Sequence, residues 1–343
     1  FDKHQDSVFF IDANQAKNLL VTGGGDDIAY VWSAQPDENR DCPLVATLDG
    51  HTESVSSGGF SPDGSFLVTA DMNGKVSLWS TTDWRLIHSE ELEEIVWVAF
   101  HPSEPYIAIG TNDGSISVYY YDAEGLSLTG TLYEHTMATT FGVFVPGSDL
   151  TLISSSEDGT IICWAIAAST KIWKLSGTDI RAGEMTSIVT LALNPQTSIG
   201  AAGSRDGKIV IFSLQGRVLN IIETAKPNQN PDDISIESLS WCSSLPLLAA
   251  GSVSGSVFIF DSTMWRLRKT INAGTEAVTK VLFLGTTPMI AVSNMDGVLT
   301  VYDARTGQST FQGTGHTAGI FDFAVLADGK IATASDDHVC LLF

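Results

Sequence analysis

Between Gly50 and Ser80 apolar and polar positions alternate in a way that predicts strands. Val55 to Phe60 is a short apolar run, and Ser61-Pro62-Asp63-Gly64 breaks it as a turn. Phe66 to Ala70 is a second run, Met72-Asn73-Gly74 a second turn, and Val76-Ser77-Leu78-Trp79 a third run of period two. Period-two runs punctuated by Pro, Asp and Gly predict an antiparallel meander. One such sheet cannot bury both of its faces, so the pattern calls for neighbours of the same kind.

The neighbours are in the chain. A motif of Asp-Gly-x-apolar-x-apolar-aromatic type recurs at Asp26 to Trp32, Asn73 to Trp79, Asp113 to Tyr119, Asp158 to Trp164, Asp206 to Phe212, Ser254 to Phe260, Asp296 to Tyr302 and Asp337 to Phe343. The final aromatics are 47, 40, 45, 48, 48, 42 and 41 residues apart, which is the period of propeller blades. The expected fold is therefore all-β: an eight-bladed β-propeller forming a single domain over 1–343. Its repeats lie at approximately 4–32, 50–79, 90–119, 133–164, 186–212, 234–260, 276–302 and 315–343. Length alone would suggest two domains, and the repeat overrides it. No window has the 3.6-residue period of a long amphipathic helix. The eighth repeat ends at Phe343 with a third strand, so a strand upstream of Phe1 is expected to close the last blade. Gly23-Gly24-Gly25 lacks the Lys-Ser/Thr and the following helix of a phosphate loop and reads as a tight β-turn.

Charge narrows the partners. The chain has 18 basic and 40 acidic residues, a formal net charge of −22. Direct binding to nucleic acid or an anionic membrane is disfavoured. The charge serves solubility, or it forms an acidic face for a basic partner. Cys42, Cys163, Cys242 and Cys340 are far apart, and two of them lie in strand motifs, so buried thiols are expected rather than disulfides or a zinc site. There is no N-x-S/T sequon, no apolar run long enough to span a membrane and no signal-peptide pattern at Phe1. The expectation is a soluble, cytoplasmic protein, with the nucleus as an additional compartment, and a monomer.

In a propeller the loops leading into each inner strand and the turns between second and third strands share one rim. The residues just before the turn Asp are Gly25, Met72, Asn112, Glu157, Arg205, Val253, Met295 and Asp336. Near the start of the inner strands lie Phe9, Ser54, Ser56, Glu94, Val96, Ser187, Glu237, Thr279 and Phe321, and the lead-in loops add Glu53, Glu90, Glu91, Glu93, Glu134, Glu184, Asp232, Asp233 and Glu276. The candidate binding rim is Glu53, Asp71, Met72, Glu93, Glu94, Glu134, Glu157, Glu184, Glu237, Glu276, Met295, Asp336, Phe9 and Phe321. Turns are rich in Asp and Glu for structural reasons, and Phe or Met on a strand is often core. Carboxylates interspersed with aromatics on a concave rim nevertheless suit a Lys/Arg-rich peptide, through ion pairs and cation–π contacts. No catalytic constellation emerges: His101 reads as a surface residue, and Glu93-Glu94 are adjacent and point apart. No cofactor or metal is expected, and the protein is not expected to be an enzyme.

Several repeats resemble those of the WD-repeat family, whose pattern is Gly-His, Ser/Thr on the second strand, Asp in the next turn and Trp ending the third strand. The matching residues are His4, Thr22, Asp26 and Trp32; His51, Thr69, Asn73 and Trp79; and His135, Ser154, Asp158 and Trp164. The resemblance implies that each set forms a buried hydrogen-bond chain, with Asn73 a weaker substitute for Asp. Repeats five, six and seven lack the His and Trp and are expected to rest on apolar packing.

More narrowly, the chain is similar to a subgroup made up of the fungal WD-repeat chaperones of large-subunit ribosomal protein number ten and their animal relatives, the angio-associated migratory cell proteins. The residues that carry this are His4 to Trp32, Gly50 to Trp79, Tyr302 to Gln308 (YDARTGQ) and His316 to Ala324 (HTAGIFDFA). It implies a dedicated ribosome-assembly chaperone that binds the basic N-terminal segment of a newly made large-subunit ribosomal protein and keeps it soluble until delivery to the pre-60S subunit. The alternatives are a WD-repeat scaffold for a non-ribosomal partner and an acidic histone-type chaperone.

Overall fold

A computed structural model describes residues 1–38, 42–148, 150–177, 186–225 and 233–343. Within them lie eight antiparallel sheets, one per repeat, each with its strands in simple meander order; seven have four strands and the last has three. Blade 1 is typical, with Val8–Asn14, Leu19–Gly24, Ala29–Ser33 and Leu44–Leu48. Contacts gather into two compact units. One is residues 1–134 with 315–343, holding blades 8, 1, 2 and 3; the other is residues 135–314, holding blades 4 to 7.

Inside each unit the first strands of successive blades pack against one another, which makes them the inner strands. The second strands are buried almost throughout, as in Leu19–Gly24 and Ile199–Ser204. Their Gly, Ala, Ser and Thr residues leave room for large side chains from the adjacent sheet. Between blades 1 and 2, Phe10, Val21 and Val31 meet Val55, Leu67 and Trp79. The Phe10 ring lies so close over blades 1 and 2 that a Cβ on Gly23 would stand 2.1 Å from it and one on Gly58 2.9 Å from it. Gly23 and Gly24 thus belong to the second strand, and only Gly25 starts the turn, which corrects the reading of all three as a turn. Cys42, Cys163, Cys242 and Cys340 are buried and free of disulfides.

In the last blade the backbone N of Phe1 donates to the Cys340 carbonyl and the Cys340 N–H donates to the Phe1 carbonyl, each at 3.0 Å. The backbone of Phe1 therefore pairs with the third strand of blade 8 (Cys340–Leu342) on the side where the other blades carry a fourth strand.

One irregularity recurs in every blade. The pairing of first and second strands slips by one residue near the start of the first strand, so Val8 faces Gly24 but Phe10 faces Gly23. The residue left over is Phe9 in blade 1, and then Ser56, Val96, Thr140, Val189, Glu237, Thr279 and Phe321 in blades 2 to 8. Such a β-bulge bends the strand and re-aims a side chain.

Candidate functional site

The bulges stand beside a second constant feature. In blades 1 to 8 the backbone N–H of Gly25, Met72, Asn112, Glu157, Arg205, Val253, Met295 and Asp336 donates to the carbonyl of Ser7, Ser54, Glu94, Ala138, Ser187, Ser235, Ala277 and Gly319, at 2.8 to 3.0 Å. The acceptor always directly precedes the first strand, two residues ahead of the bulge. The bond satisfies a backbone donor that the turn would otherwise leave open. Every blade therefore offers, at one end, a lead-in residue, a turn residue and a bulge residue in fixed relation, and only their side chains differ.

The exposed candidates at these ends are Glu53, Met72, Glu93, Glu94, Glu134, Glu276 and Asp336; Phe9, Glu157, Glu237, Met295 and Phe321 are half-buried. Glu94 Oε2 accepts from Asn112 Nδ2 at 3.0 Å. Glu157 faces Arg205 of the next blade at 3.5 Å. Asp336 Oδ1 accepts from Ser7 Oγ at 2.5 Å, and the rings of Phe9 and Phe321 lie 5.7 Å apart. Glu184, with Asp179, Arg181 and Asp232, lies outside the described residues. Glu90 and Glu91 end the outer strand of blade 2, and Glu90 pairs with His88 at 2.9 Å, so the lead-in to blade 3 begins at Leu92.

Asp71 is not on the rim. It is fully buried and accepts from His51 Nδ1 at 3.0 Å and from the backbone N–H groups of Thr52, Asn73 and Lys75. It takes the place expected of Asn73, whose amide instead reaches Thr52 Oγ1 on the exposed side at 3.3 Å. Either position can reach the imidazole, since Asp26 does so from the turn in blade 1; in blade 2 the buried Asp71 carboxylate at the end of the second strand takes the place and leaves Asn73 on the exposed side.

The scaffold chain in blade 1 runs from Trp32 Nε1 to Thr22 Oγ1 (2.9 Å), on to His4 Nε2 (2.8 Å), and from His4 Nδ1 to Asp26 (2.9 Å). Blade 2 repeats it with Trp79, Thr69, His51 and Asp71. In blade 4, Trp164, Ser154 and His135 are in place, but His135 reaches Asp158 through Thr160 Oγ1 (2.8 and 2.6 Å). Blade 8 adds a set that the sequence reading omitted, His316 between Thr333 (2.7 Å) and Asp337 (3.0 Å). Burial lowers the pKa of His4 and His51 below the ordinary 6.5, against the opposing pull of Asp26 and Asp71. Blades 5 and 7 are not left to apolar packing either. Thr186 and Ser204 bond Asp206 in blade 5, and Thr275 bonds Asp296 in blade 7. His101 is buried and accepts the N–H of Ser103 and Glu104, so it closes a turn rather than facing solvent.

Asp27 is an acidic residue that the rim reading missed. Its pKa is raised, first by partial burial and then by the negative charges of Glu53, Asp26 and Asp71. Carboxylates of blades 1 and 2 thus share one field. The doubled Asp26-Asp27 was the available signal, but one of the pair was absorbed by the motif.

Blades of this construction define a class. The WD domain, G-beta repeat family matches residues 42–80, 87–119, 126–165 and 307–343, and the fold is an all-β, eight-bladed WD-repeat β-propeller. Over 100% of its length the chain is 33% identical to ribosome assembly protein SQT1 of Saccharomyces cerevisiae, covering 85% of that protein. It matches the crystal structure of Saccharomyces cerevisiae Sqt1 with a TM-score of 0.93 and 32% identity, over 100% of this chain and 97% of that one. Angio-associated migratory cell protein of Canis lupus familiaris is 30% identical, over 100% of this chain and 78% of that protein. A crystal structure of Chaetomium thermophilum Sqt1 bound to the N-terminus of the ribosomal protein L10 matches with a TM-score of 0.90 and 27% identity, over 100% of this chain and 98% of that one. The chain belongs to the WD-repeat family that includes SQT1 and angio-associated migratory cell protein.

Proposed function

We propose that this protein is a ribosome-assembly chaperone that holds the basic N-terminal segment of a large-subunit ribosomal protein on its acidic rim. The observation that carries the reading is the end-to-end likeness to a Sqt1 structure holding the N-terminus of L10. The rim supplies matching chemistry. Among the described residues Glu53, Glu93 and Glu276 are exposed and meet no Lys or Arg, so their charge is available to a cationic segment. These carboxylates stand in for the rRNA phosphates that the client's Arg and Lys later meet, and the net charge of −22 speeds capture. Binding and release need no bond chemistry, so we read the protein as a binding module rather than an enzyme. We read the compartment as the cytoplasm, where a newly made client would be met, with the nucleus in addition.

The test is a titration with the N-terminal peptide of the ribosomal protein at about 50 and about 500 mM NaCl. Affinity falls steeply with salt if exposed charge pairs dominate. Salt-insensitive binding would sink the electrostatic account, and equal capture of histone-tail peptides would favour a general histone-type chaperone.

A further inference from the structure

We propose that Phe9, Phe321 and Asp336 form a slot that takes an arginine side chain of the bound peptide in preference to lysine. The inference deepens the function proposed above and rests on it for the nature of the ligand.

Blades 8 and 1 are neighbours in the first unit: Asp322 of the inner strand of blade 8 accepts Ile11 N–H of blade 1 at 3.2 Å. Their bulge residues are both aromatic. Phe321 and Phe9 are half-buried, with ring centroids 5.7 Å apart and planes inclined by 32°. In the other blades the bulge residue is Ser, Val, Thr or Glu, so the aromatic pair occurs at one place on the rim. Two residues nearer the rim on these same chains stand Ser7 and Gly319. The Gly319 carbonyl holds the Asp336 N–H at 2.9 Å, and Ser7 Oγ donates to Asp336 Oδ1 at 2.5 Å. Asp336 is exposed, and no Lys or Arg of the described residues pairs with it. Two residues of strand span about 6–7 Å. A guanidinium laid on the phenyl rings with its N–H edge turned rimward bridges that step. On the other side, at the bulge of blade 2, Ser56 Oγ is buried with no hydrogen-bond partner. At the far end of the same strand blade 2 is tied to blade 1 by Asp12, which accepts Phe60 N–H at 2.8 Å.

The chemistry selects between the two basic side chains. A guanidinium is flat and weakly hydrated on its faces, so it stacks on a ring while its edge donates to a carboxylate. An ammonium is compact and strongly hydrated and cannot do both without losing water. The exposed carboxylates Glu53, Glu93 and Glu276 accept either cation.

The experiment measures, by calorimetry on the full chain at fixed salt, the affinity for a Gly-Arg repeat peptide and a Gly-Lys repeat peptide of equal length and charge. The native protein prefers the arginine peptide by about 3- to 30-fold, the range expected of one cation–π site. Phe9→Leu with Phe321→Leu keeps apolar bulk but removes the ring faces, and it abolishes that preference while leaving the lysine peptide within about twofold. Asp336→Asn weakens the arginine peptide more than the lysine peptide. Equal affinity of the native protein for both peptides, or a preference that survives the double substitution, overturns the slot and leaves the proposed function standing. Failure of the ribosomal segment to bind, alongside a ring-dependent arginine preference, overturns the function and leaves the slot.

Discussion

Blade 2 and blade 6 share strand order, bulge and turn bond, yet different polar bonds hold them. In blade 2 the lock is internal, a buried His51–Asp71 pair with Thr69 and Trp79 on the other side of the imidazole. Blade 6 has no His there. Its turn carries a chain of hydroxyls, Ser252, Ser254 and Ser256, at 2.7 and 3.3 Å. Further ties run sideways into blade 7: Ser238 and Ser240 of blade 6 each accept a backbone N–H, from Val281 and Phe283, at 3.0 Å. The difference teaches that the polar chain which marks the family in sequence is one of several ways to fix a blade. The shared elements, bulge and turn, set the shape of the rim in both.

The largest expected effect tests the internal lock. Asp71→Ala leaves a buried imidazole and several backbone donors without their acceptor, and should cost about 3 kcal/mol or more, read from denaturant midpoints. A loss near zero would return Asp71 to the rim. Next, Ser240→Ala frees the buried Phe283 N–H and should cost about 1–3 kcal/mol. Should it cost nothing, the sideways ties of blade 6 do not hold it.

Acid should separate the two kinds of blade. An unfolded imidazole takes up its proton near pH 6.5, whereas His4 and His51 do so only at lower pH because burial disfavours the charged form. The unfolded state therefore holds more protons as pH drops below 6.5, and stability falls with it, while above about pH 7.5 these groups contribute no slope. Melting temperature should decline between about pH 7 and pH 5, and His51→Gln should flatten part of that decline while lowering the value at pH 7.5. A slope unchanged by His51→Gln would remove His51 from the account. The smallest effect is expected from Ser254→Ala, under about 1 kcal/mol, because its hydroxyl chain is only partly buried.

Much of this was legible because each blade solves the same local problem with the same turn. The Asp-Gly motif located all eight second-to-third strand turns, and with them the eight residues whose N–H groups bond the lead-in carbonyls. Legibility failed where two residues could serve one place. Motif alignment put Asn73 opposite His51, but the side-chain direction at the strand end put Asp71 there. His101 looked exposed beside Pro102, and its burial follows from a turn folded back over the imidazole.

The amino-acid sequence by itself determined the number of blades, the turns between their second and third strands and the net negative charge, because alternation, turn chemistry and charge are local or additive properties. Tertiary structure alone decided which carboxylates are scaffold and which are free, and it alone set Phe9 beside Phe321, 312 residues apart along the chain. Those outcomes depend on side-chain direction and on contact between sheets, which no run of neighbouring residues encodes.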